Sequence, residues 1–188
     1  FNTLKDIQIE KYYLMRKEAS AGSDWVVCQE IDGNITDEVC SVDDTLDSDA
    51  LKQYLYCIRV KPADEEHFEG IAGNEVLISN ALICIDPGHY KGKNKVADDD
   101  EYAEGDYTIK IGLALQEILK NEYGIDSCMT RDGASITLGG YTDASLDKGH
   151  ISLRGEYAGE QGSDLFISLH TNANNDNANG YPTCYQPI

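Results

Sequence analysis

Over residues 1–79, apolar and polar positions alternate in short runs that turn-forming residues interrupt. The clearest run lies at residues 53–60, where Tyr54, Tyr56, Ile58 and Val60 share one face of a strand. Comparable runs lie at residues 11–16, 25–30, 38–42 and 74–78. Short strands with a period of two and regular turns predict an antiparallel β-sandwich.

The pattern changes after residue 79. Residues 81–85 form a continuous apolar run, as expected for a strand that is buried on both faces. Helical spacing follows over residues 107–123 and ends at Gly124. The apolar residues expected on the buried face of this helix are Tyr107, Ile111, Ala114, Leu115, Ile118 and Leu119.

Two further strands and another helix complete this pattern. Residues 125–130 and 165–169 are strand-like, and residues 152–160 form a helix for which Ser152 is the expected N-cap. Alternating strands and helices predict crossover connections and a mostly parallel, twisted α/β sheet flanked by helices. We therefore expect two domains, at residues 1–79 and 80–188.

Composition narrows the possible functions. The 188 residues include 15 Lys and Arg against 34 Asp and Glu, a formal net charge of −19. An acidic chain without a basic patch argues against nucleic acid or an anionic membrane surface as the main partner. The apolar runs are too short for insertion into a membrane, and the 41% of hydrophobic residues is enough for a folded core.

The cysteines at positions 28, 40, 57, 84, 128 and 184 form no CxxC pair. Five of them lie in strand-like runs, so we expect small, buried apolar side chains, with one or two disulfides left open. The first residue is Phe1 and no signal-like segment precedes it, which fits either a removed signal peptide or an excised piece of a longer chain.

Candidate chemistry lies at the carboxyl ends of the predicted parallel strands. His89 follows the first strand in an Asp-Pro-Gly-His turn, and His170 follows the third. Glu104 lies just ahead of the long helix, whose N-terminus faces the same edge. Two imidazoles and one carboxylate would leave a fourth tetrahedral position open, as in catalytic zinc sites. A histidine after a strand can also be an ordinary loop residue.

The second half resembles the zinc-dependent N-acetylmuramoyl-L-alanine amidases of bacterial cell-wall turnover. The resemblance rests, in chain order, on Ile83-Cys84-Ile85-Asp86-Pro87-Gly88-His89, Glu104, Met129-Thr130-Arg131, Ser152-Leu153-Arg154, residues 164–173 and Gly180. It implies that His89, Glu104 and His170 are zinc ligands, with Glu101 as the nearest rival to Glu104. It also implies hydrolysis of the amide between N-acetylmuramic acid and L-alanine.

The sequence departs from the family pattern in three ways. Tyr90 and Gly159 stand where the family favours Gly and Asn. The family's general-base Glu lies on a late strand, and no Glu follows His170 here, so we expect the base beyond Ile188. Asn172 is a candidate for substrate binding. The alternative function is a non-catalytic peptidoglycan-binding protein that retains the metal site.

The first half resembles, by its strand rhythm, an incomplete fibronectin type III module. The resemblance rests on the strand from Tyr54 to Val60, the Asp43-Asp44-Thr45 turn and the strand at residues 74–78. Such modules usually space or dock a catalytic domain. Together the two resemblances imply a secreted autolysin of the bacterial cell wall that acts on peptidoglycan with Zn²⁺.

Overall fold

The computed structural model describes residues 1–4, 7–46, 50–64, 71–96 and 99–171. Contacts within the chain group Phe1–Asn80 and Ala81–Ile188 into two compact units. The assignment of residues 1–79 and 80–188 to two separate domains stays a prediction.

The first unit is an antiparallel sheet of five strands. Its strands are β1 (Ile9–Glu18), β2 (Val26–Asp32), β3 (Gln53–Pro62), β4 (Ile71–Ala72) and β5 (Val76–Ser79). β1 lies between β2 and β3, and both short strands pair with the far edge of β3. The strands predicted around residues 11–16, 25–30, 53–60 and 74–78 are therefore present.

The core of this sheet forms where β1 and β3 pair. Tyr12 lies opposite Val60 in the ladder, and both are buried together with Ile9. The Phe1 ring packs against Tyr12 with ring centroids 5.1 Å apart. The alternation along β3 places Tyr54 and Val60 in the core as expected, whereas Cys57, from the opposite face, is buried as well.

The predicted strand at residues 38–42 is wrong. Only Val39 pairs, in an isolated bridge to Asn2, and its side chain is 63% exposed. The run at residues 38–42 is too short and too exposed to pack one face against an adjacent strand. The described residues of this unit form one sheet, so they lack the second sheet of the predicted sandwich, and the fibronectin-like module stays a prediction.

The second unit is built on a parallel sheet of three strands. In chain order its elements are β6 (Leu82–Pro87), β7 (Lys95–Val96), β8 (Asp99–Ala103), α1 (Glu104–Tyr123), β9 (Asp126–Met129), β10 (Thr137–Leu138), β11 (Tyr141–Thr142), α2 (Ala144–Gly149), α3 (Leu153–Glu160) and β12 (Leu165–Leu169). β6 is central, between β12 and β9, and both pairings are parallel, as predicted. β7 with β8 and β10 with β11 form small antiparallel pairs.

The continuous apolar run of β6 is buried, as predicted. Cys84 and Ile85 are fully buried, and Cys84 lies beside Cys128 of β9 in the ladder. Burial raises the pKa of the Cys84 thiol. The five cysteines in the described residues are all free thiols, whereas Cys184 lies outside them.

Helix α1 ends as predicted, because Gly124 adopts a left-handed conformation with φ 62°. Its buried face is not the predicted one. Ile111 and Ile118 are 50% and 44% exposed, whereas Thr108 and Gly112 are buried. A Cβ on Gly112 would lie 2.9 Å from Pro87 Cγ, so the helix backbone approaches the sheet through its small residues rather than its large ones.

The ends of the helices also differ from expectation. Glu104 is the first residue of α1 instead of preceding the helix. Ser152 occupies the N-cap position of α3, as predicted, but it has helical dihedral angles and its side chain makes no capping hydrogen bond. None of the helices in the described ranges is both long and apolar enough to cross a membrane.

Candidate metal centre

Three side chains from distant positions meet at the carboxyl edge of the parallel sheet. His89 follows β6, His170 follows β12, and Glu104 begins α1. One potential ligand atom from each lies within 4.8 Å of the others. The structure thus brings together the three residues that the sequence singles out, and their role as metal ligands stays a prediction. The side chain of the rival, Glu101, lies outside the described residues.

The carboxylate of Glu104 lies between the two imidazoles. Its Oε1 is 3.0 Å from Nδ1 of His170, and its Oε2 is 3.5 Å from Nε2 of His89. The two rings stand nearly perpendicular, with centroids 4.8 Å apart. Glu104 is buried, His89 is half-buried and His170 is exposed, so the group opens to solvent on the side of His170.

The Asp-Pro-Gly-His turn explains why the two histidines approach so closely. A Cβ on Gly88 would lie 2.4 Å from Cε1 of His170, so any larger residue would displace that ring. The Gly88 N–H also donates to the Leu169 carbonyl at 2.9 Å, which joins the two strand ends. His89 itself has φ 60°, an uncommon conformation for a residue with a side chain.

Hydrogen bonds keep Glu104 ionised. Burial by itself raises the pKa of its carboxyl, but donors from Asn94, Thr171 and His170 outweigh burial and hold the pKa below its usual range. The Thr171 N–H donates to Oε1 at 2.7 Å, and Asn94 Nδ2 donates to Oε2 at 3.0 Å. An ionised carboxylate is the form that binds a cation.

Asp147 of α2 contacts the ring of the other candidate ligand, His89. Its Oδ2 is 2.9 Å from Nδ1 of His89, and its Oδ1 accepts a bond of 3.1 Å from Nη2 of Arg154. Burial raises the pKa of Asp147, yet the bonds from His89 and Arg154 hold it below the usual range. A carboxylate behind the imidazole is the common partner of a metal-binding histidine. Sequence reasoning missed Asp147.

A buried network continues from Arg154 to the sheet. Arg154 Nη1 donates to Asp86 Oδ1 at 2.6 Å, and its Nη2 donates to the His89 carbonyl at 3.2 Å. Asp86 also accepts bonds from Thr130 at 2.5 Å and Ser168 at 2.7 Å, so all three parallel strands or their ends contribute. This network fixes the end of β6 from which His89 projects.

Arg131 holds the backbone beside two of the candidate ligands. Its Nη2 donates to the Gly105 carbonyl at 2.7 Å and to the Gly88 carbonyl at 3.1 Å. Its Nε donates to the Pro87 carbonyl at 2.9 Å. The segments that carry Glu104 and His89 are therefore joined through one buried guanidinium. Arg131 and Arg154 belong to the motifs Met129-Thr130-Arg131 and Ser152-Leu153-Arg154, but their contacts around the candidate site are visible only in the fold.

A cleft of about 440 Å³ adjoins the start of α1. Lys91, Lys110 and Arg131 line it together with one acid, Asp106. The candidate substrate residue, Asn172, lies outside the described residues.

The donor set fits a small divalent cation. Two imidazoles and one carboxylate are ligands that zinc accepts, and three protein ligands leave a position for water or substrate. The carboxylate behind His89 is the kind of partner that metal-binding histidines commonly have, and Gly88 leaves room for the His170 ring.

Comparisons with known proteins point to one family. The sequence profile of the N-acetylmuramoyl-L-alanine amidase family matches residues 83–187. The sporulation-specific N-acetylmuramoyl-L-alanine amidase of Bacillus subtilis (strain 168) is 36% identical over 91 residues, which span 48% of this chain and 31% of that protein. The chain therefore spans about a third of the length of this curated relative.

Among solved structures, the N-acetylmuramoyl-L-alanine amidase AmiC2 of Nostoc punctiforme aligns with a TM-score of 0.39 and 25% sequence identity. The alignment covers 51% of this chain and 46% of that chain.

Proposed function

The chain belongs to the N-acetylmuramoyl-L-alanine amidase family, and we propose that it hydrolyses the amide between N-acetylmuramic acid and the L-alanine of peptidoglycan stem peptides. The observation that carries the proposal is the meeting of His89, Glu104 and His170 within 4.8 Å, all inside the segment that matches the family.

Zinc is the metal that this donor set favours. Two nitrogen ligands and one carboxylate, with a fourth position open, are typical of catalytic zinc sites, whereas Ca²⁺ and Mg²⁺ prefer oxygen ligands throughout. When bound, zinc supplies a Lewis acid that polarises the scissile carbonyl and lowers the pKa of water towards about 7.

The residues of the chain hold and orient this site. Glu104 supplies an ionised carboxylate, and Asp147 accepts a hydrogen bond from Nδ1–H of His89, which puts the lone pair of the neutral ring on Nε2. Arg154 restrains Asp147 and the His89 backbone together. The result is that the backbone and the ring of His89 are held in place at the edge of the sheet.

A general base is not assigned within the described residues. The two carboxylates at the site already have other proposed roles. Glu104 is a proposed metal ligand, and Asp147 accepts hydrogen bonds from His89 and Arg154 on the far side of the imidazole.

The substrate class and location follow from the family. Peptidoglycan is the proposed substrate and partner, and the cell wall outside the membrane is the proposed location. The sheet of residues 1–79 is proposed to act as a fibronectin-like spacer or docking module.

Zinc content and peptidoglycan digestion test the proposal together. The protein is purified as encoded, with any sequence that precedes or follows these 188 residues, and we expect about one zinc per chain. Incubation with peptidoglycan should release new L-alanine amino termini. Glu104→Gln should lose both zinc and activity, whereas Glu117→Gln, on an exposed position of the same helix, should retain both.

Two outcomes would contradict the proposal. Wild-type protein that binds no zinc at neutral pH rejects the metal site. Protein that binds zinc and peptidoglycan but releases no L-alanine termini supports the alternative, a non-catalytic wall-binding protein.

A further inference from the structure

Asn94 lies against two of the proposed ligands at once. Its Nδ2 is 2.8 Å from Nε2 of His89 and 3.0 Å from Oε2 of Glu104. Asn94 is exposed and Glu104 is buried, so the amide approaches both ligand atoms from the solvent side.

Hydrogen-bond chemistry fixes the direction of both contacts. An ionised carboxylate only accepts, so the NH₂ group of Asn94, and not its carbonyl oxygen, faces Glu104. The same NH₂ group faces His89, whose Nε2 must therefore accept. The proton of a neutral His89 is then on Nδ1, which lies 2.9 Å from the acceptor Oδ2 of Asp147. The two contacts agree on one tautomer.

While Asn94 donates to Nε2 of His89, that nitrogen cannot bind a metal ion. An unprotonated imidazole nitrogen has one lone pair, which either accepts a hydrogen bond or binds a metal. A carboxylate oxygen can do both, because it has more than one lone pair. Metal binding at His89 Nε2 must therefore break the contact with Asn94, whereas the bond from Asn94 to Glu104 can remain.

The backbone around Asn94 is held in place, so the side chain has to move. The Glu104 N–H donates to the Asn94 carbonyl at 3.1 Å, and the Gly105 N–H donates to the Lys93 carbonyl at 3.2 Å. Asn94 also has φ 57°, a left-handed conformation that Asn tolerates better than most residues. Rotation of an exposed side chain is fast, so the amide can leave without unfolding the loop.

We propose that Asn94 competes with the metal ion for His89 and so sets the metal affinity of the site. The proposal rests on the proposed zinc site. In the metal-free protein the Asn94 amide satisfies Nε2 of His89 and Oε2 of Glu104, and zinc has to displace it from the imidazole. Asn94 is thus a residue that tunes metal affinity, and no role in catalysis is assigned to it.

Asn94→Gly tests the competition, because Gly removes the amide and accepts the left-handed backbone. Loss of one hydrogen bond that exists only without metal should tighten zinc binding by about two- to tenfold. Zinc affinity is measured by competition with a chromophoric chelator at pH 7. Gly92→Asn is the matched control: it places an Asn in the same loop at φ 73°, with no atom near its Cβ, and should leave the affinity unchanged.

A second measurement tests the premise. Nitrogen-15 spectra of the histidine rings in the metal-free protein should give His89 protonated at Nδ1, with Nε2 as an acceptor whose resonance changes in Asn94→Gly.

The outcomes separate this inference from the proposed function. Wild type and Asn94→Gly that both bind zinc, with the variant equal or weaker, overturn the competition and leave the zinc site intact. Binding of zinc by neither protein overturns the proposed function and the inference together. Tighter binding by the variant, with Gly92→Asn unchanged, supports both.

Discussion

Two ion pairs, one in each unit, differ in burial, although the two units contain similar numbers of charged residues. Residues 1–80 contain 7 basic and 17 acidic residues, and residues 81–188 contain 8 and 17. In the first unit, Lys61 and Glu10 pair across β1 and β3 at 2.7 Å with side chains 26% and 43% exposed. In the second, Arg154 and Asp86 pair at 2.6 Å with side chains 4% and 2% exposed.

Burial decides what each pair does. A pair in water gains little, because solvent screens the attraction and the side chains lose freedom. A buried pair has lost its hydration and is satisfied only by a full set of hydrogen bonds. Arg154 and Asp86 have such a set, and it leads through Asp147 to His89. At the candidate site, charged side chains are buried and joined to one another by hydrogen bonds. The number of charged residues in each unit does not reveal this.

The largest expected effect comes from breaking the buried network. Arg154→Met leaves Asp86 charged and buried without its main partner, and should lower the free energy of unfolding by about 3–5 kcal/mol. Urea unfolding of the full chain measures the loss.

Lys120→Met is the control in the same unit, because Lys120 and Asp126 form an ion pair with side chains 59% and 61% exposed. If the two substitutions have equal effects, burial is not what distinguishes these pairs. Should Arg154→Met fail to fold, Arg154→Lys, which keeps the charge and loses the paired donors, should give a smaller loss.

The next effect is steric and acts on the candidate metal site. In Gly88→Ala the new methyl group would overlap the His170 ring, so the ring must move away from Glu104. Zinc affinity should fall by about 100-fold, the upper end of the range for a disturbed ligand environment. Gly155→Ala on α3 has open space around its Cβ and should bind zinc as the wild type does. Unchanged affinity in Gly88→Ala would show that the close approach of the two histidines is dispensable.

The comparison also explains which parts of the fold the sequence could predict. Strands β6, β9 and β12 could be predicted because strands and helices alternate along this part of the chain. The apolar run of β6 is a second signal, because a strand that is buried on both faces has no alternating polar residues. The buried face of α1 could not be predicted from hydrophobicity. Gly112 faces the sheet because only a small residue permits the approach of Pro87, and this is a property of packing rather than of periodicity.

In the first unit, β1, β2 and β3 follow from their alternating residues, but the sandwich does not. Period-two patterns give a strand one apolar face, and they do not say whether a second sheet covers it. Val39 illustrates the limit, because a β-branched residue in a strand-like run is here mostly exposed.

The three candidate ligands could be predicted because each stands at the end of a recognisable element. The contacts of Asp147 and Asn94 with His89 could not be predicted from the sequence. Asp147 lies on α2, a short polar helix without an apolar period, and Asn94 lies in a loop. Their contacts with His89 depend on how loops return to the sheet edge, which local sequence does not encode.

A smaller effect should follow from removing the charge behind His89. Asp147→Asn keeps an oxygen that can accept from Nδ1, but it no longer favours that tautomer through its charge. We expect zinc affinity to fall by about tenfold, the lower end for partners of a ligand histidine. The same chelator competition measures it, with Asp132→Asn on an exposed position as the control. Unaltered affinity would mean that other contacts orient His89.

The smallest effect is expected at the exposed pair of the first unit. Lys61→Met removes the charge and keeps most of the aliphatic stem, so packing along β3 should survive. The free energy of unfolding should fall by less than about 1 kcal/mol, and less still in high salt, because salt screens an exposed pair. Glu10→Gln should have a similar effect, since both substitutions remove the attraction between the two charges. A loss of unfolding free energy as large as that of Arg154→Met, and independent of salt, would mean that this pair is effectively desolvated. The two pairs would then differ only in how many hydrogen bonds join them to other groups.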